Sequence, residues 1–201
     1  MGSGLMHGTP RAAVHLCVDM QRLFGPEGPW PTPWMPRVLP VVQDIATRHT
    51  ARTVFTRFVP PHTPSDRPGM WQPYFERWRE TTREQMDPAL IGLMPGLARL
   101  SPPAVTLDKP AYSAFSAPGL MPLLESGGIR TLIITGGETD VCVLATVMAA
   151  VDLGFRVILV KDALCSSSDQ GHDFLVTLFH QRFSSQVETV TAEEVLSAWS
   201  E

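Results

Sequence analysis

The sequence predicts a three-layer α/β/α sandwich built on a mainly parallel sheet of about six strands. Three observations carry this. Short apolar or β-branched runs alternate with helical patterns through most of the chain, as in folds made of βα units. Asp19, Asp108-Lys109, Gly136-Gly137 and Lys161-Asp162 each follow such a run, at the strand ends where open α/β sheets bind ligands. No internal repeat or linker divides the 201 residues. One domain over 12–201 is therefore expected, with 1–11 a disordered or cloning-derived leader.

The elements follow in order. Residues 13–19 are an apolar run ending in a carboxylate, a buried strand with its last residue at the rim. Between Trp34 and His49 the apolar positions Val38, Val41, Val42, Ile45 and Ala46 have helical spacing. Residues 53–58 are β-branched and aromatic, hence a strand. Residues 59–88 break the alternation with clustered prolines and four large aromatics. They read as a long excursion with a short helix around Phe75–Glu84, serving either a site or as a surface flap or subunit contact. Residues 104–108, 131–135, 156–160 and, more weakly, 186–190 are further strands. Helices are expected over 120–125, stopped by Gly127-Gly128, over 140–153, stopped by Gly154, and over 169–183 behind Ser166-Ser167-Ser168. Thr191-Ala192-Glu193-Glu194 has capping-box form and opens a last helix to about Trp199.

Composition narrows the function classes. A net charge of −4 without a Lys/Arg stripe argues against nucleic acid or an anionic membrane as partner. The longest apolar run, Val141–Val151, is too short to span a bilayer. Three cysteines make a poor disulfide framework and suit a reducing cytoplasm. No C-x-x-C pair or nucleotide-loop spacing occurs. Fourteen of the sixteen basic residues are Arg, which draws notice to Lys109 and Lys161.

Chemistry concentrates in Ile134–Val143, where a buried strand meets two glycines and then a helix whose first turn carries Cys142. Unpaired N–H groups and the helix dipole there favour a thiolate, lower the cysteine's pKa and can hold an oxyanion. An ordinary core cysteine is the competing reading. Asp19 ends an apolar strand and needs a partner there, or is a structural cap. Lys109 follows another strand, or is a solvated loop lysine. Together they supply a nucleophile, a base and a cation at sheet ends.

Leu16-Cys17-Val18-Asp19-Met20-Gln21, then Asp108-Lys109-Pro110-Ala111-Tyr112-Ser113-Ala114-Phe115, then Gly136-Gly137-Glu138-Thr139-Asp140-Val141-Cys142-Val143, in that order, resemble the isochorismatase-like cysteine hydrolases. The resemblance covers about 12–199. It implies a catalytic triad of Asp19, Lys109 and Cys142, and a cis Gly137–Glu138 peptide aiming the Glu138 N–H beside that of Cys142 as an oxyanion hole. It further implies hydrolysis of a C–N bond in a small amide, ureido or carbamoyl compound through a thioester. Vinyl ether cleavage, as in isochorismatases proper, is the alternative, and a non-catalytic or redox thiol protein on the same fold is a third reading. The metal-binding Asp-x-His pair of nicotinamidases is not matched by Thr56-Arg57-Phe58-Val59-Pro60-Pro61-His62, so no metal and no cofactor are expected. Phe24, Trp71, Tyr112 and Phe115 are expected as aromatic pocket walls and Arg57 as a carboxylate clamp, each with core packing or a surface role as the plainer reading. Cys165 is the rival nucleophile, near the rim. A cytoplasmic, homo-oligomeric enzyme with a small-molecule substrate is expected.

Overall fold

A computed structural model describes residues 4–200 of the chain. Strands β1 (Ala13–Val18), β2 (Thr53–Phe58), β3 (Val105–Lys109), β4 (Thr131–Gly137), β5 (Arg156–Cys165) and β6 (Val187–Val190) form one sheet in the order β3-β2-β1-β4-β5-β6. Every pairing is parallel, which requires a crossover between successive strands. Helices α1 (Met35–Arg48), α2 (Trp71–Arg77), α3 (Pro95–Ala98), α4 (Leu120–Ser126), α5 (Leu144–Asp152), α6 (Asp169–Arg182) and α7 (Ala192–Ala198) supply or flank these crossovers.

The sheet is apolar on both faces and each face closes its own core. One cluster joins Cys17, Phe55, Ile133 and Ile158 to α1 and α7 residues such as Ile45 and Val195. The other joins Leu16, Ile134 and Leu159 to Leu124, Val147 and Phe179 of α4, α5 and α6. The central strands are consequently continuous apolar runs, not alternating ones.

Chain direction reverses between β1 and β4: β1 leads outward to β2 and β3, β4 outward to β5 and β6. The two crossovers leave opposite faces there, opening a crevice at the strands' C-terminal ends. Asp19 follows β1 at that crevice, and Cys142 follows β4.

Four expectations differ from the structure. Residues 4–11 lie against the domain: Leu5 is buried, Arg156 donates to the carbonyls of Gly8 and Thr9, and the Gly4 N–H donates to Glu194. Residues 1–3 of the expected leader lie outside the described residues. The excursion's helix begins at Trp71, four residues before the expected start, and a 3-10 turn over Arg79–Thr81 replaces its second half. Strand β5 runs five residues past Val160, because a register shift between Ile134 and Gly136 lets Leu164 and Cys165 pair with Gly136 and Gly137. The helix expected from Asp140 opens instead with a π turn over Thr139–Val143, and regular α5 starts at Leu144.

Candidate active site

Asp19 stands one residue beyond β1 with φ +49°, a left-handed conformation that a short polar side chain tolerates better than most. It is wholly buried. Thr56 of β2 fixes it twice: its hydroxyl donates to Oδ1 at 2.7 Å and accepts the Asp19 N–H at 3.3 Å. Gln21 secures the following turn by exchanging side-chain hydrogen bonds with the Phe58 backbone and donating to the Ile91 carbonyl.

Lys109, the last residue of β3, is 1% exposed. Its Nζ lies 2.7 Å from Asp19 Oδ2 and donates at 2.8 Å to the carbonyls of Ala111 and Tyr112. The Oδ2 contact is an ion pair without hydrogen-bond alignment, since Oδ2 meets no aligned donor among the described residues. The Phe58 ring faces the ammonium at 5.3 Å, a cation–π contact.

Cys142 is also buried, and its thiol feels both the Asp19 carboxylate and the Lys109 ammonium. Burial is the largest influence on the thiol and pushes its pKa well up; Asp19 adds to this and Lys109 opposes it. The lowered pKa expected from a helix start is thus overturned. The surroundings withdraw water and bring a negative carboxylate near the sulfur, and both disfavour the thiolate.

The cysteine loop is fixed by close approaches. Gly136 has φ +105°, and a Cβ there would lie 2.0 Å from the Val18 carbonyl oxygen. The Gly137–Glu138 peptide is cis, and the Glu138 N–H meets no acceptor among the described residues. The Glu138 carboxylate accepts from the N–H and hydroxyl of Ser167. Asp140 accepts from Ser166, and the Thr139 hydroxyl pairs with His172 Nδ1. Thr146 of α5 donates to the Cys142 carbonyl and accepts the Ala114 N–H. This ties the cysteine turn to the loop after Lys109.

The expected pocket residues divide. Phe24 stacks on Trp30 at 6.0 Å, and Trp71 meets Tyr112 at 4.9 Å. The Tyr112 hydroxyl feels burial first and then Cys142, both raising its pKa. Phe115 packs instead on Phe155 in the second core cluster; the 3-10 turn over Ala114–Ser116 directs it toward α5. Arg57 is not a free clamp, because its fork is taken by Asp108 at 2.7 and 3.0 Å, its neighbour across the β2–β3 register. Cys165 is fully buried at the end of β5, where burial pushes its pKa up to about 12, so it is no exposed nucleophile.

Sequence reasoning missed Thr56, Trp30 and Tyr74. Tyr74 feels Tyr112, Cys142 and Glu138 after the larger effect of burial, which places it at the same mouth. The spacing Trp71, Tyr74, Phe75, Trp78 marks one helical face and could have found it. Among the described residues no three His, Cys, Asp or Glu side chains converge as metal ligands.

Comparison with known proteins gives the family. The isochorismatase domain model matches residues 13–193, and the chain belongs to the isochorismatase family. It is 35% identical over 81 residues to an uncharacterized isochorismatase family protein of Bacillus subtilis (strain 168), a match covering 40% of this chain and 44% of that one. It is 28% identical over 165 residues to nicotinamidase 3 of Arabidopsis thaliana, covering 81% of this chain and 78% of the relative. A cysteine hydrolase from Pseudomonas syringae pv. phaseolicola 1448A superposes with a TM-score of 0.77 at 21% identity, over 97% of this chain and all of that one. The chain has the parallel α/β architecture expected from its sequence. No helix among its described residues is long and apolar enough to cross a membrane.

Proposed function

We propose that the chain hydrolyses a C–N bond of a small amide, ureido or carbamoyl compound through a thioester on Cys142. The observation that carries this reading is the convergence of the buried Asp19–Lys109 pair on the Cys142 sulfur. A thiol with a raised pKa needs a base in contact with it, and Asp19 is that base. As the S–C bond forms, the sulfur's proton passes to Asp19, while Lys109 stabilises the negative charge. The oxyanion sits between the N–H groups of Glu138 and Cys142. Collapse breaks the C–N bond, and Asp19 hands its proton to the departing nitrogen. Water then adds to the thioester and gives a proton to Asp19. The C–S bond breaks and the proton returns to sulfur. The phenols of Tyr74 and Tyr112, with Trp30 and Trp71 behind them, wall the mouth and suit a planar acyl group.

Ammonia release from a panel of small amides, ureido acids and carbamoyl compounds tests the reading. Release by the chain, lost on Cys142→Ala, is the expected result. Absence of release across the panel, with isochorismate cleaved instead, would refute it.

A further inference from the structure

A cleft of about 390 Å³ opens beside the end of β3, at Lys109, between the 59–88 excursion and Pro110. His62, Asp66, Arg67, Arg83 and Asp108 supply its charged lining. The acids are engaged elsewhere. Asp108 is held by Arg57 in a two-point pair, and Asp66 accepts the Thr63 N–H within a capping box. Arg67 and Arg83 are each held by a backbone carbonyl, and the Asp66 carboxylate feels Arg83 without a direct ion pair. Arg67 Nη2 donates to the Pro110 carbonyl, and Arg83 Nε donates to the Pro60 carbonyl at 3.0 Å. Neither forms an ion pair among the described residues. A carbonyl fixes the plane of a guanidinium while leaving its charge and remaining N–H groups available. Two oriented guanidinium groups therefore share the cleft with one carboxylate that no arginine pairs directly, Asp66.

We propose that this cleft binds a small oxyanion, a carboxylate or a phosphate, between Arg67 and Arg83. The ligand completes charge-assisted hydrogen bonds that the protein leaves open. The site adjoins the catalytic machinery through one short loop. Arg67 holds the carbonyl of Pro110, and the next two carbonyls, of Ala111 and Tyr112, hold Lys109 Nζ. The anion has two possible sources of the same chemistry: the distal carboxylate of the substrate itself, or a separate effector. Binding is independent of the amidase reading, and only the choice between sources rests on it.

Trp71 lies under the Arg67 guanidinium at 6.0 Å and provides a reporter. The full chain is titrated with sodium phosphate, and separately with sodium acetate, with sodium chloride holding ionic strength constant. The expected result is a saturable change in tryptophan fluorescence, weakened about tenfold or more in both Arg67→Gln and Arg83→Gln. Asp66→Asn should tighten it. Should Arg67→Gln fail to fold, Arg83→Gln decides, since its side chain bonds only a loop carbonyl. A linear response, or one matched by chloride, means an adventitious ion only and overturns the proposal. Saturation unchanged in both variants overturns it too. Turnover then separates the sources. Phosphate that raises KM only for carboxylate-bearing amides identifies the substrate's own tail, while a changed kcat for neutral amides as well identifies an effector. If no amide is turned over, the amidase reading fails while the binding result stands.

Discussion

Replacing Lys109 with methionine keeps the apolar length of the side chain and removes its charge. In the wild type the ammonium is buried, 2.7 Å from Asp19 and bonded to two carbonyls. The variant leaves Asp19 wholly buried with the Thr56 hydroxyl as its remaining side-chain donor. Breaking a buried pair by deleting one partner costs about 3–5 kcal/mol, because a charge stays behind uncompensated. Each orphaned carbonyl adds up to about 1–3 kcal/mol where water does not replace the donor. A loss of roughly 3–5 kcal/mol is therefore expected, with the lost charge partner as its main cause. Urea unfolding followed by tryptophan fluorescence measures it. Adding Asp19→Asn to Lys109→Met removes the stranded charge, so the double variant should lose well under the sum of the two single losses. A single-variant loss below about 1 kcal/mol, or simple additivity, would refute the view that this pair is a coupled buried unit.

Three further outcomes are expected. His15 is buried between the Thr53 and Thr135 hydroxyls, and its pKa falls from 6.5 to about 3, through burial first and the neighbouring His49 second. Its folded pKa lies below its unfolded one, so its contribution to stability is complete above pH 6.5 and is lost as pH falls toward 3. That loss runs at about 1.4 kcal/mol per pH unit, and His15→Gln should flatten the corresponding part of the stability–pH curve. Gly136→Ala places a methyl 2.0 Å from the Val18 carbonyl oxygen at a φ that disfavours side chains; unfolding at equilibrium should show a loss above about 3 kcal/mol, or no folded protein. Cys165→Ser should keep kcat within about threefold, since the thiol is fully buried at the end of β5 and points to the Thr32 hydroxyl and the Gly136 carbonyl, and a loss comparable to that of Cys142→Ala in the same turnover assay would contradict its structural role.

The order of strands and helices was legible because both sheet faces are covered, which leaves β1, β4 and the first half of β5 as mainly apolar, buried runs. What the sequence hid is three-dimensional. Lys161 and Asp162 are exposed and break the apolar pattern of β5, yet the strand continues because a bulge re-registers its partner. Arg57 and Asp108 are 51 residues apart, and only the β2–β3 register makes them a pair. Asp19, Lys109 and Cys142 stand out in the sequence because each lies at or just past a strand end and in a recognisable motif. Thr56 lacks such a signal, as a threonine inside a strand usually reflects β propensity. The direction of the Cys142 pKa was also hidden: a helix start predicts a drop, and burial beside a carboxylate reverses it.

The most direct test of the central claim is intact-mass analysis of the chain, acid-quenched during turnover of whichever panel amide releases ammonia. The account predicts a mass increase equal to the acyl group, located on the peptide carrying Cys142 and absent from Cys142→Ala. Turnover at full rate by Cys142→Ala, or an acyl group found on another residue, would contradict it.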